Sequence, residues 1–174
     1  IAYFNLKKYK KSLLDFNKIL KIDSFSYKPF YYKGLIYSSL NNNERAIKEF
    51  SKSLEINNNH YQSCSERGKA YFEISKYENA ENDFTSAIEI NSKNSELFFN
   101  LGMVKMKLNN NESQDAYCFD KAFELDSNNL DALYYRTLVG WKHIKKMTFV
   151  GKAFEKGVNH TFTDGGVCKS IYKT

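Results

Sequence analysis

The sequence predicts an all-α protein, specifically an α-solenoid of antiparallel helix pairs. Three observations lead to this fold class. The 174 residues include one proline and eight glycines, whereas an all-β chain with many tight turns needs more of both. Hydrophobic residues make up 42% of the chain and aromatic residues 16%, which is the composition of a chain that folds. The sequence also repeats with a period of about 34 residues, and such periods are typical of stacked helical units.

The repeat emerges when the chain is compared with itself after a shift of one period. The residues Gly34, Tyr37, Ala46, Phe50 and Leu54 then coincide with Gly68, Tyr71, Ala80, Phe84 and Ile88. The same frame continues upstream through Tyr3, Ser12, Phe16 and Leu20, and downstream, with one extra residue, through Gly102, Leu108, Phe119, Ala122 and Phe123. Successive units close with the similar segments ILKID, SLEIN, AIEIN and AFELD. We therefore expect repeated structure along most of the chain.

Each unit contains two runs in which apolar residues recur at helical spacing, so each unit is predicted to form two helices. Gly34 lies inside the first run of its unit. Glycine within a helix costs about 1 kcal/mol relative to alanine, so a glycine that recurs on the period requires a steric reason. We expect a close approach of the partner helix, with Ala46 and Ala80 as the small residues that face the glycines. Phe50 and Phe84 are then expected to fill the space between successive units.

The spacing Gly34-x2-Tyr37-x8-Ala46-x3-Phe50 resembles the tetratricopeptide repeat (TPR) family. The closest segments are GLIYSSLNNNERAIKEFSKSLEIN and GKAYFEISKYENAENDFTSAIEIN. The resemblance covers residues 1–129 and implies a right-handed superhelix of helix pairs. The proline that usually closes a unit is absent, and its places are taken by Ser24, Asn58, Ser92 and Ser127.

From this frame we expect a TPR-like array over residues 1–158 and a terminal cap or loose tail over 159–174. The expected units are 1–26 (partial), 27–60, 61–94, 95–129 and 130–158 (shortened and degenerate). In the unit 95–129, Asp115 replaces the small residue that should face Gly102, which predicts a rotated or locally bulged helix pair.

Three asparagine triplets punctuate the units. Residues 41–43 and 109–111 fall at the turn within a unit, and residues 57–59 fall at the turn between units. Asparagine tolerates left-handed backbone angles and caps helix ends. It can therefore end one helix and begin the next without proline.

No pattern of catalytic or metal-binding residues is present in the sequence. The histidines and cysteines are scattered, at His60, His143, His160, Cys64, Cys118 and Cys168. None has a partner at ligand spacing, and no glycine-rich phosphate loop occurs. We expect a non-enzymatic protein without metal or cofactor.

The expected location is intracellular and cytoplasmic. Three widely spaced cysteines indicate a reducing compartment, no leader is visible, and no run of about 18 apolar residues occurs. The absence of an initiator methionine suggests a fragment.

The TPR resemblance implies that the first helix of each unit lines a concave groove. The residues expected to line it are Tyr31, Leu35, Lys69, Phe72, Phe99, Asn100, Met103, Met106, Tyr134 and Leu138. The groove is expected to be polar at its start and apolar from Phe72 onward. Three interpretations of the apolar part stay open: it binds a partner segment, it packs against the chain's own tail, or it belongs to the core between units.

One TPR subclass holds the C-terminal carboxylate of chaperones in a clamp of Lys, Asn, Asn, Lys and Arg. Asn100 matches the middle asparagine of that clamp. The other positions differ, because Ser65 and Lys69 stand in place of Lys and Asn, and Asp131 and Tyr135 in place of Lys and Arg. We therefore expect no carboxylate clamp.

The function expected is that of a non-catalytic scaffold that binds a protein or peptide partner in the groove. Binding of RNA by the helical array is the alternative, because the net charge is +6 and residues 1–26 and 142–174 are rich in lysine. A third possibility is a TPR segment of a larger assembly or co-chaperone. The oligomeric state stays open.

Overall fold

The structure is a computed structural model, which describes residues 8–108, 112–140, 158–162 and 168–172. Its helices are α1 (Tyr9–Ile22), α2 (Tyr27–Ser39), α3 (Asn43–Ile56), α4 (Tyr61–Glu73), α5 (Tyr77–Ile90), α6 (Ser95–Leu108), α7 (Glu112–Leu125) and α8, described over residues 130–140. Each helix from α1 to α6 packs against the next one in the chain. In addition, α2 touches α4 and α4 touches α6. The predicted α-solenoid is confirmed, with α2, α4 and α6 as one row of neighbouring helices.

Two short strands follow the helices. The strands β1 (Val158–Phe162) and β2 (Cys168–Tyr172) pair antiparallel, with Val158 opposite Tyr172 and Phe162 opposite Cys168. A cap or loose tail was expected from residue 159, and strands were not predicted. The fifth unit expected at 130–158 falls largely outside the described residues.

The recurring glycines face aromatic rings of the partner helix. A Cβ atom at Gly34 would contact the ring of Phe50, with 2.6 Å to Cδ1. At Gly68 the nearest atom would be Phe84 Cζ at 3.1 Å. The steric reason expected for the glycines is thus present, but the facing residue is phenylalanine and not the expected Ala46 or Ala80. The two alanines are themselves fully buried.

The third pair, α6 and α7, repeats this packing. A Cβ atom at Gly102 would lie 2.9 Å from Phe119 Cζ, and α7 is a continuous α-helix. The bulge expected from Asp115 is therefore not found in α7, where Phe119 faces Gly102 as Phe50 faces Gly34. The Asp115 side chain is buried.

Two kinds of turn connect the helices. Within units, Asn41 and Ser75 stand one period apart and adopt φ angles of 55° and 59°, in the left-handed region that asparagine tolerates. Between units, a side-chain oxygen accepts a hydrogen bond from the backbone N–H two residues later. This bond recurs at Asp23, Asn57, Asn91 and Asp126, at distances of 3.0 to 3.4 Å. The triplets 41–43 and 57–59 thus act as turns, as expected, and 109–111 lies outside the described residues.

Two largely buried ion pairs occupy equivalent places between the helices of successive pairs. Lys33 Nζ lies 3.2 Å from Glu49 Oε2. Arg67, one period after Lys33, donates through Nε and Nη2 to the carboxylate of Asp83 at 2.8 and 2.7 Å. The next pair of helices has buried Leu101 at this position in place of the cation. The packing of a unit therefore accepts either an ion pair or apolar groups at this place.

None of the helices in the described part of the chain has the length and hydropathy needed to cross a membrane.

Candidate functional site

A cavity opens between α4 and α6, the first helices of two successive pairs. Its volume is about 330 Å³, and it is lined by Lys69, Phe72, Glu73, Phe84, Phe99, Asn100 and Met103. We call this space the α4–α6 cavity. Most of its wall is apolar, which suits an apolar side chain of a ligand.

Five of the ten residues expected from the sequence meet at this cavity. Lys69 and Phe72 lie one turn apart on α4, and Phe99, Asn100 and Met103 lie on the facing side of α6. Helical periodicity places residues three and four apart on one face, and the contact between α4 and α6 brings the two faces together.

The other five expected residues do not line the cavity. On α2, Tyr31 and Leu35 are half-buried and pack against Phe50 and against Ala70 of the next unit. Met106 is half-buried one turn beyond Met103, and Leu138 is half-buried on α8. Tyr134 is 59% exposed. Their role in binding stays a prediction.

Phe99 has a structural role as well as a place in the cavity. Its ring centroid lies 5.8 Å from the ring of Phe119 on α7 and 5.8 Å from that of Tyr135 on α8. Aromatic pairs in such tilted arrangements stabilise a core beyond their buried area. Phe99 is therefore shared between the cavity wall and the packing of α6, α7 and α8.

Two cavity residues were missed in the sequence. Phe84 reaches the cavity from α5 although it was assigned to the packing between units. Glu73 is exposed at the end of α4, directly after Phe72. Its sequence position alone marks it as a solvated helix end, and only the approach of α6 makes it part of the wall.

Lys69 is held between two carboxylates. Its Nζ atom donates to Glu66 Oε1 on the same helix at 2.9 Å and lies 2.7 Å from Glu96 Oε1 on α6. Burial by itself lowers the pKa of Lys69, but the hydrogen bonds to Glu96 and Glu66 outweigh it, so the pKa is raised. Lys69 is therefore protonated, and the carboxylates of Glu66 and Glu96 balance its positive charge.

Asn100 places a polar group in the apolar wall. Its Nδ2 atom is buried and has no hydrogen-bond partner within the described residues. An unsatisfied buried donor is costly, and rotation of the amide towards the cavity would let a ligand carbonyl satisfy it.

The described histidine side chain, His60, packs within the repeat. His60 Nδ1 lies 2.8 Å from Ser63 Oγ, and its ring packs against Tyr27 and Tyr31. Burial, and after it the charge of Lys28, lowers the pKa of His60. Among the described residues, no group of three or more His, Cys, Asp or Glu could hold a metal ion.

Cys64 and Cys118 are buried, and we expect both to resist thiol reagents in the folded protein. Burial raises the pKa of Cys64, and it raises that of Cys118 to about 11. The thiolate is the reactive form, so Cys118 should react about a hundredfold more slowly than an ordinary thiol near neutral pH. Maleimide labelling followed by mass spectrometry of the peptides carrying each cysteine measures this. Full labelling in guanidinium chloride is the control, and rapid labelling of the native chain would contradict the expectation.

The comparison of the sequence with known protein families gives one match. The model of the tetratricopeptide repeat matches residues 28–60 and 61–94. Residues 28–94 thus match two tetratricopeptide repeats. The two matched TPR units contain the helix pairs α2/α3 and α4/α5, and the α4–α6 cavity begins in the second of them.

Solved structures, two of them described as TPR structures, have the same fold. The crystal structure of MamA superposes with a TM-score of 0.77 at 18% identity, covering 89% of this chain and 92% of MamA. YrrB, described as a TPR protein with an unusual peptide-binding site, gives 0.66 at 25% identity, covering 71% of this chain and 63% of YrrB. The first TPR of Spaghetti (RPAP3), bound to the HSP90 peptide SRMEEVD, gives 0.66 at 20% identity, covering 70% of this chain and 96% of that domain. No curated protein sequence matches the chain significantly.

Proposed function

We propose that this TPR array is a non-catalytic scaffold that binds a peptide or helical segment of a partner protein between α4 and α6. The α4–α6 cavity is the observation that carries the proposal, because it combines an apolar wall with the amide of Asn100. An apolar side chain of the partner would enter the cavity, and a backbone carbonyl would accept from the amide.

Two structural neighbours support a peptide as the ligand. YrrB is described as having a peptide-binding site, and the Spaghetti domain is bound to a peptide. Both share the fold of this chain at low identity, so the residues that would contact a peptide here come from the cavity itself.

Binding of RNA is less well supported at this groove. The lysines that motivate it lie mainly in residues 1–26 and 142–174. The groove around Lys69 instead carries the carboxylates of Glu66, Glu73 and Glu96, which repel a phosphate backbone.

We expect the substitution Met103→Glu to weaken peptide binding at least about tenfold, because a carboxylate would replace an apolar part of the wall and would lose its water when the apolar side chain of the partner enters. Peptides selected from a displayed library of random dodecapeptides are the probe, and fluorescence anisotropy measures their affinity. Met103 is preferred to Phe99 for this test because Phe99 also packs against Phe119 and Tyr135.

The matched control is Tyr134→Glu. Tyr134 is exposed and lies outside the cavity lining, so this variant should bind the selected peptides like the parent chain. Circular dichroism and thermal unfolding establish that both variants fold. A library that yields no peptide, or affinity that Met103→Glu leaves unchanged, would refute the proposal.

A further inference from the structure

We propose that the α4–α6 cavity selects a basic partner segment, in which an apolar anchor residue is flanked by lysine or arginine. This rests on the proposed function and specifies the chemistry of the partner. The observation behind it is the charge around the cavity, which is opposite in sign to the charge of the whole chain.

Three carboxylates lie at the cavity or beside its lysine: Glu73 is part of the lining, and Glu66 on α4 and Glu96 on α6 form ion pairs with the lining residue Lys69. We call them the acidic rim. Among the described residues, Lys69 is the one cation of the cavity lining, so Lys69 and the three carboxylates of the acidic rim together carry a net negative charge. The Glu96 side chain is 60% exposed, and Glu73 is exposed and has no ion-pair partner within the described part of the chain. Both can therefore accept hydrogen bonds from a ligand.

Lys69 shows how this rim holds an ammonium group. Its Nζ atom lies within 2.9 Å of oxygens from both Glu66 and Glu96. A lysine of a partner would meet the same kind of surroundings at the outer oxygens of Glu96 and at Glu73. An acidic partner would instead have to pull Lys69 away from two carboxylates, which removes two charge-assisted hydrogen bonds.

The carboxylates of the acidic rim also contribute to two pKa shifts. The pKa of Lys69 is raised although burial opposes this. Burial, followed by the charge of Glu66, raises the pKa of Tyr31 to about 12 on the neighbouring helix α2. The charge of Glu66 therefore acts on α2 as well, although burial is the larger cause of the shift at Tyr31.

The net charge of +6 would by itself attract acidic ligands. Interactions beyond about 8 Å are largely screened at physiological ionic strength, so the groups beside the ligand decide its preference. Selection of a basic segment would therefore be a local property of the α4–α6 cavity.

The experiment is a selection of displayed random dodecapeptides on the parent chain, after removal of those that bind the Met103→Glu variant. We expect the retained peptides to carry lysine or arginine next to an apolar residue. Replacing those basic residues by glutamate in a synthetic peptide should weaken binding at least about tenfold.

Charge reversal at Glu73 is the matching test on the protein. Glu73→Lys should weaken binding of the selected basic peptide about tenfold, and the loss should shrink at high salt. Glu89→Lys is the control, because Glu89 is exposed on α5 outside the cavity and the substitution changes the net charge equally. It should leave affinity unchanged.

The outcomes separate this inference from the proposed function. Acidic or uncharged retained peptides, or tighter binding by Glu73→Lys, would overturn the inference while leaving a peptide-binding groove in place. If every peptide that binds the parent chain also binds the Met103→Glu variant, the proposed function itself is refuted. The alternative ligand is a second copy of the chain. Self-association in solution that is abolished by Glu73→Lys would overturn the inference that a separate protein supplies the basic segment.

Discussion

Asp83→Ala is expected to lower the free energy of unfolding by about 3 kcal/mol. Asp83 is buried and accepts two hydrogen bonds from Arg67, whose Nη1 also donates to Ser51 of the preceding unit at 3.0 Å. Removing the carboxylate leaves the guanidinium in a largely desolvated place without its charged partner. Denaturation by guanidinium chloride, followed by circular dichroism, measures the change.

The repeat itself provides the compensating variant. Because Leu101 and Cys118 occupy the corresponding places in the next pair of helices, the double substitution Arg67→Leu/Asp83→Cys should restore stability to within about 1 kcal/mol of the parent. Glu124→Ala is the surface control, since it breaks the exposed ion pair with Lys121 and should cause no measurable change. Equal destabilisation by Asp83→Ala and by the double variant would contradict this explanation, because the loss of stability would then not come from the unpaired guanidinium.

Gly34→Ala is expected to destabilise the chain by about 2 kcal/mol, although alanine favours helices by about 1 kcal/mol over glycine. The added methyl group would overlap the Phe50 ring, which is fully buried and cannot move aside. Overpacking of such a site forces shifts in the surrounding side chains. The measurement is the midpoint of denaturant unfolding, compared between variants whose free energy of unfolding depends equally steeply on denaturant concentration.

Gly68→Ala is the matched control for this effect. There the methyl group would meet Phe84 at 3.1 and 3.2 Å, so a small adjustment suffices and we expect a change of less than about 1 kcal/mol. In the background Phe50→Leu, the cost of Gly34→Ala should also shrink. If Gly34→Ala were as stable as the parent chain, the contact with Phe50 would not explain the glycine.

Much of the fold could be predicted from periodicity. The regular period and the helical spacing of apolar residues identify the helix pairs, because each pair must bury the same face against the next. The glycines that recur with the period also indicate a close contact between the two helices of a unit. They do not identify the contacting residue, since both Ala46 and Phe50 lie on the buried face of α3. The structure shows the Phe50 ring there.

The candidate site could be predicted only in part. Periodicity marks the exposed face of each first helix, and five of the ten residues on those faces meet at the α4–α6 cavity. It does not distinguish Met103, which lines the cavity, from Met106 one turn later. It also does not reveal that Tyr31 and Leu35 are covered by the next unit, because that depends on how closely α2 and α4 approach.

The sequence by itself determined the repeat, the helix pairs and the turns, because these depend on residues near one another in the chain. Only the tertiary structure decided which charges meet. Lys69 and Glu96 belong to successive units, far apart in sequence, yet their Nζ and Oε1 atoms lie 2.7 Å apart in space, and Arg67 finds Asp83 across a helix pair. Spacing along the chain places a side chain on one face of a helix, but the sign of the charge in the groove depends on the side chains that a second helix brings to it.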